Sequence, residues 1–208
     1  MIPIETMAVF FAASVALALA PGPDNIFVLT QSALHGRKAG ILVTLGLCTG
    51  ILIHTTAVSL GVAAIFQTSA LAFNILKLLG AAYLIYLAWQ AFRAGSISQT
   101  SEDLPALEWK KLYSRGIIMN ITNPKVAIFF LAFLPQFADP ARGPLCIQMI
   151  LLGTLFILAT LMIFGAVAWF AGFIGEWLKK SEKIQIIMNR MAGTVFAGLA
   201  LRLAVTQR

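Results

Sequence analysis

The sequence predicts an all-α integral membrane protein: six transmembrane helices in two inverted three-helix repeats, with helices one and four broken near the bilayer midplane. Three observations lead there. Of the 208 residues, 60% are hydrophobic and 11% charged, whereas soluble domains carry roughly 25% charged residues. A water-soluble fold of this length has too small an interior to bury so much apolar surface. The apolar residues also fall in runs long enough to cross a hydrocarbon core, which takes about 20 helical residues. Finally, most basic residues stand between these runs. The net charge of +7 would otherwise suggest nucleic acid as a partner. Placed between membrane spans, the basic residues act instead as topology signals and contacts to anionic membrane lipid, and no nucleic-acid partner is expected.

Span one covers about residues 4–34. Residues 7–20 (MAVFFAASVALALA) resemble the apolar core of a signal peptide. Glu5 is the only charged side chain before that run, however, and Pro21 would follow the cleavage point, so the run reads as an uncleaved membrane helix. The span is too long for one straight helix and is interrupted by Pro21-Gly22-Pro23, which predicts two half-helices. Span two, about 39–66, carries Gly46 and Gly50 four residues apart, with Gly40 before and Gly61 after. Such spacing lets helix backbones approach closely in lipid. Span three covers 70–93. The polar stretch 94–112 reads as a cytoplasmic linker with a short amphipathic piece around Leu107–Leu112. It separates repeat one (about 1–93) from repeat two (about 113–208) within a single transmembrane domain. Span four, 113–137, is interrupted by Asn123-Pro124. Span five, 145–175, has Gly153, Gly165 and Gly172, and span six covers 186–205. Trp89, Trp109, Trp169 and Trp177 lie near span ends, the usual interfacial place. The phenylalanines are spread over the spans and read as lipid-facing or packing residues. Cys48 and Cys146 stand alone in apolar runs as small packed hydrophobes. Neither a metal-ligand spacing nor a cofactor motif is present in the sequence.

Lysine and arginine placement sets the expected orientation. Arg37 and Lys38 follow span one. Arg93, Lys110, Lys111 and Arg115 surround the connection of spans three and four. Lys179, Lys180, Lys183 and Arg190 lie between five and six. In the other two connections only Asp139 and Arg142 stand out. This alternation puts the basic loops in the cytoplasm and both termini on the extracytoplasmic side. Three spans per half make the second half inverted relative to the first.

The informative residues are those that lipid should exclude: Pro21, Gly22, Pro23, Asp24 and Asn25 in span one, and Asn120, Asn123, Pro124 and Lys125 in span four. An Asp or Lys at a helix centre costs about 2.5–3.5 kcal/mol on insertion scales, so each is a functional-site candidate. Asp24 is 13 residues from Arg37 and Lys125 is 10 residues from Arg115. At about 1.5 Å per residue, both lie roughly 15–20 Å from the cytoplasmic ends, with opposite signs. The prolines lack N–H groups and break the helical ladder, and Gly22 permits unusual dihedrals and close approach. Pro23 can open a new half-helix whose free N–H groups suit an anion. The carbonyls of about residues 17–20, freed on the other side, suit a cation. Asn123-Pro124 repeats the arrangement. One such residue is as well explained by a bundle-holding Asp24–Lys125 pair. Two breaks at matched depth, each with an ionisable residue and an Asn, favour a binding site between repeats.

At these residues the sequence resembles the lysine exporter family, including its homoserine/threonine exporter branch. The matching features are Pro21-Gly22-Pro23-Asp24-Asn25, the glycine-spaced second span and Asn123-Pro124-Lys125. Length, hydropathy and the polar central linker agree as well, so the resemblance covers essentially the whole chain. It implies gradient-driven export of amino acids or related small metabolites from the bacterial cytoplasm, through the inner membrane and without enzymatic activity.

On that reading a zwitterionic amino acid takes one anionic and one cationic contact. Lys125 and the half-helix start at Asp24-Asn25 receive the carboxylate. Asp24 and the carbonyls near Leu17–Ala20 receive the ammonium group. Between cargoes, Asp24 pairs with Lys125 or takes a proton, which would couple export to protons. His54, beside Thr55, Thr56 and Ser59, is either a proton relay or a hydrogen-bonded packing residue, and Gln31 has a similar standing. An inorganic-cation exporter would want several carboxylates, His or Cys at the midplane. A structural assembly subunit would need no midplane charges. The glycine-rich faces permit a homodimer and equally suit packing within one chain.

Overall fold

A computed structural model describes residues 2–20, 22–68, 70–93, 108–171 and 182–205. Pro21, Trp177, Gly172, Lys179, Lys180 and linker residues 94–107 lie outside the described residues. Every regular element among the described residues is helical. These are α1 (Ile4–Leu19), α2 (Pro23–His35), α3 (Arg37–Thr68), α4 (Ala70–Arg93), α5 (Trp109–Thr122), α6 (Pro124–Ile128), α7 (Leu145–Trp169) and α8 (Glu182–Val205). Residues 109–112, read from sequence as the end of the linker, are the first turn of α5.

The sequence explains where the helices stop. Ala20 and Asn123 both precede prolines and both leave the helical region, with ψ of 120° and 107°, because the proline ring clashes with a helical predecessor. Pro23 and Pro124 then open α2 and α6, where a missing N–H costs nothing. The two halves of the first span are bent by 62° and those of the fourth by 53°. Gly36, at φ +83°, turns α2 into α3 in a conformation that favours glycine. After α6 the fourth span does not continue as a plain helix. Phe129–Phe133 is a π-helical turn and Leu134–Phe137 a 3-10 turn, irregularities that its apolar sequence did not announce. The connection to α7 is held by Gln148. Its amide donates to Asp139 O (2.8 Å) and Gly143 O (3.0 Å) and accepts from Asp139 N (3.0 Å), while Asp139 pairs with Arg142 at 3.1 Å.

Side-chain contacts set the helix directions. Thr49 meets Tyr113 and His54 meets Asn120, so α3 and α5 run parallel. Thr55 lies on Gly153 and Ala168 lies on Gly40, so α7 runs antiparallel to α3. Phe10 meets Phe137 edge to face while Leu17 meets Lys125, so α1 opposes the α6 segment. α4 packs on α8. Arg37 lies over Trp169 at 4.4 Å and Arg115 over Phe27 at 4.9 Å, which gathers cations and rings at one end of the bundle. The N-terminal half of α1 lies toward the other.

The interior has two apolar clusters. One, rich in phenylalanine, joins α1, the π and 3-10 turns, α4, α7 and α8. The other joins Val28, Val43, Leu47, Leu112 and Phe164 near the cationic end. The outer surface is apolar too. Leu52, Leu78, Leu79, Ile118, Ile150 and Met162 are all more than half exposed, an extent of bare hydrocarbon that fits a lipid surround. α7 and residues Arg37–Gly61 of α3 are each long and apolar enough to cross a bilayer, as is each bent pair taken together. Hydroxyls on these helices bond the carbonyl four residues back, as Thr44, Thr55, Thr56 and Thr154 do at 2.8–2.9 Å. This satisfies them without water.

Candidate functional site

Between the two apolar clusters lies a small cavity lined by Leu17, Ala18, Asp24, Ile51, Asn120, Lys125, Val126, Phe156, Thr160 and Phe164. It draws on α1, α2, α3, α5, α6 and α7, and both helix breaks open onto it. About 20 Å³ is open to the centre of a water molecule, room for roughly one water. This conformation therefore has no space for an amino acid.

The breaks generate the polar chemistry. Pro21 has no N–H to donate four residues back, so the Leu17 carbonyl loses its helical partner. The Lys125 ammonium takes its place, donating to Leu17 O at 3.3 Å and to Ala20 O at 2.9 Å. Asn25 Nδ2 donates to Ala18 O at 2.7 Å. Pro124 likewise has no N–H for the Asn120 carbonyl, which accepts from Asn123 N at 3.2 Å instead and is approached by His54 Nε2 at 3.3 Å. A ring nitrogen facing a carbonyl must carry its proton, so Nε2 is the protonated nitrogen of His54, whose ring stacks on Phe130. Thr55, Thr56 and Ser59 all bond carbonyls of their own helix. His54 therefore sits as a hydrogen-bonded packing residue of the break.

Asn123 serves both halves. Its Oδ1 accepts from Lys125 N at 3.0 Å and caps α6, while its Nδ2 donates to Asp24 Oδ2 at 3.0 Å. No such side-chain cap closes α2. Asp24 is 3% exposed and Asn120 2%, and Asp24 Oδ1 and Asn120 Oδ1 are buried without a protein partner. Two acceptor oxygens thus belong to residues of one cavity with no donor on them.

Of the two cargo-free states open to Asp24, pairing with Lys125 or taking a proton, this conformation does not show the direct pair. Among the described residues the ion pairs within 4.0 Å are Lys111–Glu108 and Arg142–Asp139. The lysine sits on neutral carbonyls because the helix end offers it two oxygens. The role expected for Gly22 narrows. Its backbone is extended, at φ −172°, a conformation open to any residue. The close approach expected of it is observed: a Cβ there would lie 3.1 Å from Lys125 Nζ, which would have to give by a few tenths of an ångström.

The two packing glycines differ. A Cβ on Gly46 would run into Tyr113 O and stand 3.0 Å from Gly116 Cα. One on Gly50 would meet the Asn120 side chain, 2.6 Å from its Cβ and 2.7 Å from its Oδ1. Gly46 thus packs helix on helix, whereas Gly50 makes room for a residue of the cavity. Sequence reasoning missed Gly116 and Thr160. The signal for Thr160 was its standing as the one hydroxyl in residues 155–169. That for Gly116 was its four-residue spacing from Asn120.

Comparison with known proteins agrees with this geometry. Residues 15–207 match the profile of the family described as LysE type translocator. The chain is 34% identical over 187 residues to a homoserine/homoserine lactone efflux protein of Salmonella typhimurium, covering 90% of each chain. It is 33% identical to a protein of the same name from Salmonella typhi, again over 90% of each. No solved structure matches the chain. The protein thus belongs to the LysE type translocators, a family of multi-pass membrane transporters and not of enzymes.

Proposed function

We propose that this protein exports a small amino acid or related metabolite with an uncharged side chain from the bacterial cytoplasm across the inner membrane, by proton antiport. The observation that carries the reading is the cavity between two helix breaks, lined by Asp24 and Lys125. It offers one carboxylate and one ammonium for the two ends of a zwitterion. The rest of its lining is apolar apart from Asn120 and Thr160, which leaves no second carboxylate for a basic side chain. The Salmonella relatives are named for homoserine and its lactone. The two share an α-amino group, but the lactone has no carboxylate, which makes the ammonium end the common element of recognition.

The architecture proposed is six spans in two inverted halves. Part of the packing supports it: on exchange of the halves α3 on α5 corresponds to α7 on α1, while α3 on α7 and α4 on α8 each map to themselves. Parallel α3 and α5 favour α4 as a return crossing. The cations clustered around Arg37, Trp169 and Arg115 favour a cytoplasmic placement of that end, hence extracytoplasmic termini. Asp24 Oδ1, with no protein partner, is the place where proton and substrate ammonium compete, which couples their movements in opposite directions. Rocking of one half against the other opens the cavity to each side in turn.

The test is release of homoserine by cells expressing Asp24→Asn or Lys125→Met protein that inserts normally. Loss of a charged hydrogen bond predicts a fall of about ten- to hundredfold. Wild-type release in both variants would sink the proposal.

A further inference from the structure

We infer that the Lys125 ammonium is a tethered stand-in for the substrate's own ammonium, which holds the carbonyl cradle at the end of α1 whenever the cavity is contracted. The inference rests on the exporter reading above and adds to it an account of how the transporter returns without cargo.

The cradle exists because α1 stops. Leu17 O and Ala20 O have lost helical donors, and an alkylammonium with three N–H groups suits them. Lys125 Nζ holds both, at 3.3 and 2.9 Å, and Gly22 leaves it room. The group in the cradle has the same charge and donor count as the α-ammonium of an amino acid. It comes from the second repeat, so the contact joins the two broken spans in the contracted conformation. It is also held in an exchangeable way. Asp24 Oδ2 accepts from Asn123 rather than from the lysine, and the lysine bonds neutral carbonyls, which hold a cation less tightly than a carboxylate does. An arriving ammonium can therefore take the cradle and Asp24 Oδ1 together. Lys125 is then free to turn to the substrate carboxylate where there is one. After release the lysine returns, so the freed carbonyls are not left bare in an apolar interior, which would be unfavourable. Without the lysine, only a second substrate molecule could fill the cradle during the return.

Two transport modes separate this role from simple binding. Purified full-length protein is reconstituted in liposomes at a fixed pH gradient, with homoserine as the probe. Counterflow, in which labelled substrate exchanges for unlabelled, needs no cargo-free return. Net efflux into substrate-free buffer does. In Lys125→Met, counterflow should persist with a raised KM, because a carboxylate contact is gone. Net efflux at saturating substrate should drop by at least a further tenfold or so, the equivalent of one charged hydrogen bond. In Lys125→Ala, methylammonium should restore net efflux by filling the cradle. Equal losses in both modes without methylammonium rescue would overturn the inference, as would unchanged net efflux. Absence of homoserine counterflow in the wild-type protein and across a panel of neutral amino acids would instead remove the exporter reading itself.

Discussion

Asn123 donates its side-chain amide to the Asp24 carboxylate at 3.0 Å, across 99 positions of sequence, and so ties the break in the fourth span to the break in the first. The same side chain caps α6 through its oxygen. One residue therefore sets both the start of a half-helix and the orientation of the buried acid.

These two tasks separate on substitution. Asn123→Ala removes the cap and the donor, and should lower stability by about 1–3 kcal/mol, combining a lost cap with an unsatisfied buried group. Asn123→Asp keeps a capping oxygen but sets a second carboxylate against Asp24. Its melting temperature in detergent should stay above that of Asn123→Ala if the second carboxylate takes a proton, while homoserine export falls to a similar low level. Export at the wild-type rate in Asn123→Asp would show that the amide donor is dispensable.

Gly46 and Gly50 should respond differently to alanine. At Gly46 the new methyl meets the backbone of α5, which cannot move aside, and overpacking of this kind costs about 1–3 kcal/mol. The expected readout is a lowered melting temperature and poor yield. At Gly50 the methyl meets the Asn120 side chain, which is displaced within the cavity. A raised KM with a smaller stability loss is expected. Identical stability losses and unchanged KM in both would reduce Gly50 to a packing residue.

Phe10 is fully buried, with Phe129, Phe133 and Phe137 at ring-centroid distances of 5.9, 6.5 and 5.2 Å. Phe10→Ala should lose about 3–5 kcal/mol, the usual range for a buried ring. Phe10→Leu, which keeps most of the volume, should lose roughly 1–2 kcal/mol through its aromatic pairs and imperfect fit. Denaturant unfolding of purified protein compares the two. A loss below 1 kcal/mol for alanine would mean that the ring does not pack as described.

His54 donates to the Asn120 carbonyl, which also accepts from Asn123 N at the break. His54→Gln carries an amide donor of comparable reach and should keep most export, with the same dependence on external pH as wild type. His54→Ala removes one of the two donors on that carbonyl and should lower stability by about 0.5–1.5 kcal/mol. Loss of pH dependence in His54→Gln would assign His54 the relay role.

The broken spans were legible because proline, glycine and charge are rare in apolar runs, and each has a known local effect. The observed helices follow the expected segments to within a few residues, with α5 and α8 each starting four residues before the expected 113 and 186 and α7 ending at Trp169. The π and 3-10 turns were not legible. Phe129–Phe137 is an ordinary apolar string except for Pro135 and Gln136, and its irregular winding depends on what packs against it. Nor was it legible which phenylalanines would meet: Phe10, Phe129, Phe130, Phe133, Phe137 and Phe156 form one ring cluster, while Phe92 and Phe170 stay exposed.

Membrane residence, helix boundaries and the residues worth suspecting followed from composition and local chemistry. They are set by solvent transfer and backbone hydrogen bonding, which act residue by residue. Which oxygen each of those residues bonds was decided by tertiary structure. Lys125 on the carbonyls of α1, Asn123 on Asp24 and Gly50 against Asn120 each join segments about 70 to 105 positions apart. No local pattern carries that information, because partners in a low-dielectric interior are chosen by proximity among whichever groups the packed helices bring together.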